Sequence, residues 1–350
     1  AYGAYLLQQQ GAIALLETSM GSNPLQNPLL LLVPALGVLA LTLLFLRLMP
    51  TIMAAIAWAV SFSKSVGLLL ATRHLARNPG YYTTPVILLV VTLSLAAFTA
   101  SLAQALDTHL YDQIYYSVGA DMRFNEPGQS QGNTAMGGGT TSNDADPGPL
   151  FLFIPVSEYL KAPGVRGAAR VGRYPALINL GDGVQRGLFI GVDRYELPQV
   201  AFWREDFGTA SLGELMNTLA INPNGVLAPR SFMRSHALNN GDIIRLLVDT
   251  YGSRNEGEFE IVGSFALFPT WYPEQDGPLF VGNLDYLFEM AGAQFPYRIW
   301  LDTDQDIDFH QLGDEQLREF NVNVLNWTAA PERIGNTQQQ PERQGLFGLL

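Results

Sequence analysis

A stretch of 89 consecutive residues, 18–106, contains no aspartate or glutamate. A soluble enzyme rarely leaves so long a segment free of carboxylates, whereas membrane spans and their cytoplasmic connections often do. The last part of this stretch, residues 85–106, carries no charge at all. At about 1.5 Å per residue it extends about 33 Å, the hydrocarbon thickness of a bilayer. The sequence therefore predicts a transmembrane helix over residues 83–106, with Thr83 or Thr84 as its cap and Pro85 in its first turn.

Other segments of the first third also suit a membrane. Residues 29–49 predict an earlier transmembrane helix, and residues 1–28 read as the end of a preceding helix and an outer loop. Residues 50–82 connect the two spans. The apolar part of this connection, 52–70, contains Lys64, which is costly at the bilayer centre. Two interpretations stay open for it, an amphipathic helix lying in the interface or a third span inside a bundle.

The charges of this region predict its orientation. The connection between the spans is free of acids and holds Lys64, Arg73 and Arg77, and Arg47 lies just before it at the end of the first span. By the positive-inside rule it is cytoplasmic, so that residues 107–345 are extracytoplasmic. The remainder of the chain is acidic, with sixteen Lys and Arg against twenty-nine acids in residues 121–350. Such an excess of negative charge argues against a nucleic acid partner and leaves the lipid bilayer as the expected one.

Beyond the span we expect the helix to continue to about residue 123, followed by a flexible linker over 125–149 that is rich in Gly, Ser, Thr, Asn and Pro. Residues 150–328 alternate irregularly between strand and helix patterns, which predicts an α+β domain with a mixed sheet and helices on one face. Its clearest local signals are a capping box at Ser211 and Glu214 and a turn at Asn240-Gly241, which precedes a strand over 242–248 with 258–266 as its expected partner. Residues 329–350 read as a return segment to a truncated transmembrane helix.

The sequence offers few groups for catalysis. It has no cysteine, no phosphate-binding P-loop motif and no Gly-x-Ser-x-Gly motif. We therefore expect no enzyme activity and no cofactor in this chain. The one weak metal candidate is a set of acids with part of the EF-hand spacing, Asp304, Asp306, Asp308 and Glu315. However, Phe309 stands where that loop needs glycine, and the alternative is a helix with an acid-rich first turn.

An aromatic loop follows one of the predicted strands. It contains Phe268, Trp271 and Tyr272 among prolines. Such a loop either contacts a substrate or partner protein, or closes over the core of its own domain.

Several short motifs in this order resemble a known family. A basic segment, RHLARNP, precedes the long apolar helix, which exits into LYDQIYYSVGADMRF; LNNGDIIRL and FEIVGSFALFPTWYP follow in the outer domain. The whole resembles the FtsX-like/MacB-like permease subunits of ABC transporters. The matching positions of the basic elbow are Arg73, Leu75, Arg77 and Pro79, and those of the turn after the helix are Gly119, Ala120 and Asp121.

The resemblance implies a MacB-like extracytoplasmic core domain in a multi-pass protein of the bacterial plasma membrane, here as a fragment of a larger, duplicated permease. It also implies a cytoplasmic ABC ATPase subunit that hydrolyses ATP, and a second permease copy or half. Coupling would support export, lipoprotein or lipid handling, or mechanotransmission. The alternative is a membrane-anchored extracytoplasmic binding or sensor module without transport.

Overall fold

A computed structural model describes residues 80–130, 151–179, 183–304, 306–317 and 325–339, together with isolated helical positions between 37 and 70. The chain divides into two compact units, residues 1–106 with 350 and residues 107–349. Arg47 is helical and exposed. Lys64, Arg73 and Arg77 lie outside the described residues, as do residues 1–28 and most of 29–49 and 52–70.

The long helix, α1, covers Gly80–Val118 and contains 39 residues. It begins five residues before Pro85, so the expected cap at Thr83 or Thr84 is wrong. Once a helix has nucleated, each further residue adds one hydrogen bond at little cost. Pro85 forgoes only the bond from its own nitrogen to the preceding turn, which a position so near the helix start tolerates.

Large apolar side chains in the apolar part of α1 are not buried. Leu88, Leu93 and Leu95 are each more than 60% exposed. Within the described residues, one helical segment, Ile87–Val118, is long and apolar enough to cross a membrane. Its polar groups are satisfied locally, since the hydroxyls of Thr92 and Thr99 donate to carbonyls one turn earlier. A helix whose polar groups all form hydrogen bonds within the helix is suited to the hydrocarbon core of a bilayer.

The helix ends earlier than the sequence suggested. It stops at Val118 rather than near residue 123, because Gly119 adopts a left-handed backbone with φ of +95°. A Cβ on Gly119 would lie 2.5 Å from Cη2 of Trp300, so the sheet leaves no room for another residue type. The chain then enters strand β1, Met122–Glu126, in the segment we expected to be helix and linker.

The sheet that follows is mixed, as predicted, and within the described residues it has nine strands. Besides β1, the strands of the domain are β2 Gln129–Ser130, β3 Phe151–Leu152, β4 Val165–Asn179, β5 Val184–Val192, β6 Gly225–Pro229, β7 Ile243–Thr250, β8 Ser253–Phe265, β9 Leu279–Asn283, β10 Tyr297–Thr303 and β11 Leu325–Ala329. The order of the strands in the sheet is β11-β1-β10-β4-β5-β9-β6-β8-β7, and a separate two-stranded sheet pairs β2 with β3. Strands β5–β9 and β6–β8 pair in parallel, and β7–β8 form the expected antiparallel hairpin.

Strand β4 closes part of this sheet into a barrel. Its last residues pair with β5 on one side and with β7 on the other, so the six strands β4, β5, β9, β6, β8 and β7 form a ring. Even-numbered side chains of β4, such as Ala176 and Ile178, belong to a first core that the ring encloses. Odd-numbered ones, Ala169 and Val171, belong to a second core on the opposite face.

Helices cover both faces of the sheet, which corrects the expected single helical layer. Each face of a central strand is apolar here, and both faces must therefore be covered. Helices α5 and α7 pack on the first core, and α3 and α4 pack on the second. The helices are α2 Val156–Tyr159, α3 Leu197–Val200, α4 Leu212–Ile221, α5 Arg230–Ser235, α6 Pro273–Asp276, α7 Leu284–Ala291 and α8 Ala330–Gln338, with a 3₁₀ turn at Glu205–Phe207 and a π-helical segment at Gln311–Gln316.

Replacing Gly119 by alanine tests the helix stop. Gly119 and Gly241 have the same φ of +95°, but a Cβ on Gly241 meets nothing within 4 Å. Gly241→Ala should therefore cost about 1 kcal/mol from backbone strain alone. Gly119→Ala should cost about 2 kcal/mol more, because the new methyl group overlaps the indole of Trp300. Urea denaturation of the two variants measures both values, and equal losses would show that the contact with Trp300 is unimportant.

Candidate functional site at the end of the long helix

The last three turns of α1, residues 107–118, form with their surroundings a structure that we call the junction. It comprises these turns, the loops 202–207 and 268–272, helix α8, and the turn 119–123. All of it lies in the second compact unit. One face of the helix, Leu110, Ile114 and Val118, packs on Ala330 of α8. Side chains of this size each contribute about 1.5–3 kcal/mol on full burial, so this apolar contact is the main attachment.

The second contact is made by the aromatic loop. The hydroxyl of Tyr116 donates to the carbonyl of Trp271 at 2.5 Å, and the backbone N–H of Thr270 donates to the carbonyl of Tyr116 at 2.8 Å. The Tyr116 ring also meets the edges of Phe207 and Tyr272, with centroids 5.5 and 5.6 Å away. Thr270 is held at φ of +69°, a strained conformation for a β-branched residue.

This geometry decides between the two interpretations of the aromatic loop. Phe268 and Trp271 are 1% and 2% exposed and belong to the second core, so they close over the domain itself. Tyr272 alone remains partly exposed, at 37%. For Phe268 and Trp271 the second interpretation therefore holds, because their rings fill the space between the sheet and the loop that holds α1.

The third contact is polar. Arg204 pairs with Asp112 of the helix and also with Asp206 of its own loop. The side chains of Arg204 and Asp112 are 42% and 27% exposed, so the pair is worth only about 0.5–1 kcal/mol. Its contribution is directional: it fixes the rotation of the helix against loop 202–207. In the same loop, Phe202 donates its backbone N–H to the carbonyl of Gly119.

The turn after the helix supplies the fourth contact. Asp121 accepts hydrogen bonds from the hydroxyl of Tyr115 and the backbone N–H of Thr303, and its carbonyl accepts from the N–H of Ala330. Asp121 thus joins α1, β10 and α8. Arg123 donates to the carbonyls of Ser117 and Val118, the unpaired acceptors of the last helical turn. A cation at the negative end of the helix dipole stabilises that end.

Sequence analysis missed most of the junction. The glycine of the Gly119-Ala120-Asp121 turn was noted only through the resemblance, and its contact with Trp300 depends on a residue 181 positions away. Arg123, five residues after the helix end, is the one polar signal that local sequence offered. No local sequence signal marked Arg204 or Thr270, which contact Asp112 and Tyr116 of the helix.

Two members of the acidic set proposed as a metal candidate have partners within the protein. The side chain of Asp308 accepts from the backbone N–H groups of His310 and Gln311, as an acid in a first helical turn does. Asp304 lies 3.7 Å from Arg166. Among the described residues, which include Asp306 and Glu315, no three His, Cys, Asp or Glu side chains form a group that could hold a metal ion.

A cavity of about 490 Å³ opens elsewhere in the domain. Arg170 crosses it, bound through Nε and Nη2 to Asp193 and through Nη2 to Asp285. The lining has both charge signs and no serine, histidine or cysteine, so it offers no nucleophile and base for acyl transfer. It consists of Phe153, Ile154, Pro155, Val156, Arg170, Asp193, Arg194, Tyr195, Glu196, Asn283, Asp285, Gln294 and Tyr297.

A buried carboxyl group lies behind this cavity. Glu126 is 5% exposed, and its Oε1 accepts from the backbone N–H of Ile154. Its Oε2 and the hydroxyl of Tyr159 have no hydrogen-bond partner among the described residues. Burial raises the pKa of Glu126 above its ordinary value.

No protein-family model matches the chain, and no curated protein matches it by sequence. Among solved structures, the periplasmic region of MacB from Actinobacillus actinomycetemcomitans matches with a TM-score of 0.37 and 8% identity, covering 64% of this chain and 95% of that one.

Two further structures are similar to the chain. The extracellular domain of the ABC-type transporter YknZ from Gram-positive bacteria has a TM-score of 0.33 and 9% identity, covering 50% of this chain and 86% of its own. A domain of a putative permease protein from Porphyromonas gingivalis has a TM-score of 0.34 and 12% identity, covering 61% and 83%. The second structure is described as part of a transporter and the third as part of a permease.

Changing Tyr116 to phenylalanine tests the hydrogen bond between the helix and the aromatic loop. The variant loses the hydroxyl that satisfies the carbonyl of Trp271, and the free energy of unfolding should fall by about 1–2 kcal/mol. Tyr251 is 63% exposed, so Tyr251→Phe should change it by less than about 0.5 kcal/mol. If chemical denaturation gives the same value for both variants, the Tyr116 hydroxyl does not hold the loop.

Changing Glu126 to glutamine tests the buried carboxyl group. A carboxyl whose pKa is raised by folding contributes stability below its ordinary pKa, and this contribution is lost as pH rises through the raised pKa. The glutamine amide does not titrate, so Glu126→Gln should be more stable than the parent by about 1 kcal/mol at pH 8. The gain should vanish at pH 4.

Thermal unfolding at the two pH values measures this difference. Glu256 is exposed, so Glu256→Gln should differ from the parent by less than about 0.5 kcal/mol at pH 8. A Glu126→Gln variant that is less stable at pH 8 would contradict the account.

Proposed function

We propose that the chain is part of a permease subunit of an ABC transporter, in which α1 crosses the plasma membrane and passes displacement to an extracytoplasmic domain. A separate cytoplasmic ATPase subunit would supply the energy, and this chain would perform no chemistry itself. A second permease copy or half would complete the pathway. Export, the handling of lipoproteins or lipids, and mechanotransmission to another protein are the activities that such coupling serves.

The observation that carries the proposal is the attachment of α1 to its domain. A simple anchor needs only a flexible tether between the membrane and the domain. Here the helix continues without interruption to Val118. Its last turns contact the loops 202–207 and 268–272, α8 and the turn at Asp121 on several sides. An attachment that fixes both direction and rotation is required of an element that transmits movement.

The apolar and basic segments of the sequence support the same proposal. Residues 85–106 carry no charge, and four basic residues precede them without an acid, Arg47 at the end of the earlier span and Lys64, Arg73 and Arg77 in the connection. The orientation that follows from the positive-inside rule puts the acidic domain outside the cytoplasm. In this orientation an ATPase in the cytoplasm acts on the opposite end of α1 from the domain.

Reconstitution with an ATPase subunit tests the proposal. The full-length protein in nanodiscs should bind an ABC ATPase and raise its ATP turnover severalfold. The double variant Tyr116→Phe, Arg204→Gln should still bind the ATPase but lose much of the stimulation of turnover, because two of the contacts that fix the helix are gone.

The control is Arg254→Gln, which removes an exposed charge from β8, outside the junction, and should behave as the parent does. A full-length protein that binds no ATPase in native membranes would contradict the proposal. That result would favour a membrane-anchored binding or sensor module without transport.

A further inference from the structure

Three arginines stand in a diagonal row across adjacent strands. Arg123 of β1 lies beside Trp300 of β10, and Arg298 is two positions from Trp300. Arg298 in turn lies beside Val171 of β4, and Arg173 is two positions from Val171. Because side chains alternate between the faces of a strand, all three arginines project from the face that carries Trp300 and Val171. Diagonal neighbours on one face are within reach of long side chains.

A fourth arginine reaches the same place from α8. Nη1 of Arg333 lies 3.5 Å from Oγ of Ser117, and Nη1 of Arg123 donates to the carbonyl of the same residue at 2.9 Å. We call Arg123, Arg173, Arg298 and Arg333 the arginine row. Its members come from three strands and a helix that the sequence separates by up to 210 positions.

The arginine row lacks matching negative charge. Arg173 pairs with Asp276. Among the described residues, Arg123, Arg298 and Arg333 have no carboxylate within 4 Å, although residues 121–350 hold twenty-nine acids against sixteen Lys and Arg. In so acidic a domain, three neighbouring arginines without a carboxylate partner are unexpected, because their mutual repulsion opposes folding.

Burial and neighbouring positive charge both lower pKa values in the row. Burial, followed by the charges of Arg298, Arg333 and Arg173, lowers the pKa of Arg123 to about 10. Burial and the charge of Arg173 also lower the pKa of Arg298. At neutral pH Arg123 nevertheless remains charged, so the site presents several positive charges at once.

The guanidinium groups also have unused donors. Each arginine has five N–H groups. Arg123 uses Nη1 for the carbonyls of Ser117 and Val118, and Arg298 uses Nε for Oδ1 of Asn125. The other guanidinium nitrogens of these two residues donate to no protein acceptor in the described part of the chain. Both side chains are partly accessible and Arg333 is exposed, so a ligand from solvent can reach them.

We propose that the arginine row binds a phosphate group. Convergent guanidinium groups with free N–H donors match the several oxygens of a phosphate, which accept paired hydrogen bonds from arginine. A bound phosphate would supply the missing negative charge. The phosphate belongs either to a phospholipid headgroup or to a soluble phosphate compound, and the two sources share this chemistry. This site is independent of the proposed transport role.

Thermal unfolding of the full-length protein tests the site. The parent in maltoside detergent, which contains no phosphate group, is titrated with inorganic phosphate at constant ionic strength, set with chloride. In a second arm, the detergent micelles contain added phosphatidylglycerol and no free phosphate. A rise in Tm in the first arm identifies a soluble phosphate site, and a rise in the second arm alone identifies a headgroup site, since only ligands that bind the folded state raise Tm.

Matched variants assign the effect to the row. Arg298→Gln and Arg333→Gln each remove one charge and leave the helix cap at Arg123 in place, and phosphate affinity should fall at least about tenfold. Arg254→Gln removes one exposed charge from the same domain and should keep the parent response. The proposal is overturned if neither arm raises Tm, or if Arg254→Gln weakens the response as much as Arg298→Gln does.

Discussion

The close approach of Gly119 to the indole of Trp300 is the constraint on which the junction depends. It forces the chain to leave the helical conformation at one residue and sends it into the sheet three residues later. Trp300 lies in β10, which pairs with β1 on one side and β4 on the other, so the end of α1 is positioned by an interior strand of the sheet. The remaining contacts then act on a helix whose end is already fixed, and they set its rotation.

The polar groups of the junction each serve two elements. Asp121 joins the helix, β10 and α8, and Arg123 closes the last helical turn while standing in the arginine row. A phosphate at the row would therefore touch the residue that caps α1. Ligand binding and the stability of the helix end are coupled in this arrangement, because both involve the same guanidinium group.

Local signals predicted the elements well and their assembly poorly. The cap at Ser211, the turn at Gly241 and the hairpin of β7 and β8 follow from short sequence patterns and are confirmed. The mixed sheet was also predicted. Strand β1 was mistaken for helix, and β9, five residues between Pro278 and Leu284, was missed. Both are defined by neighbours distant in sequence, as are the contacts of Arg204 and Thr270. The aromatic loop shows the same limit, since its residue types suit a binding surface and a core equally well.

The central claim is that the last three turns of α1 and the domain around them move as one body at the junction. The chain has no cysteine, so spin labels are placed on cysteines introduced at two exposed positions, Gln113 of the helix and Glu205 of the loop beside it. The distance between these labels is then measured by pulsed electron spin resonance in the full-length protein with the ATPase subunit of the proposal. The account predicts one narrow distribution that is the same with and without ATP. A distribution that broadens or shifts with ATP would place a hinge at the junction and contradict the account.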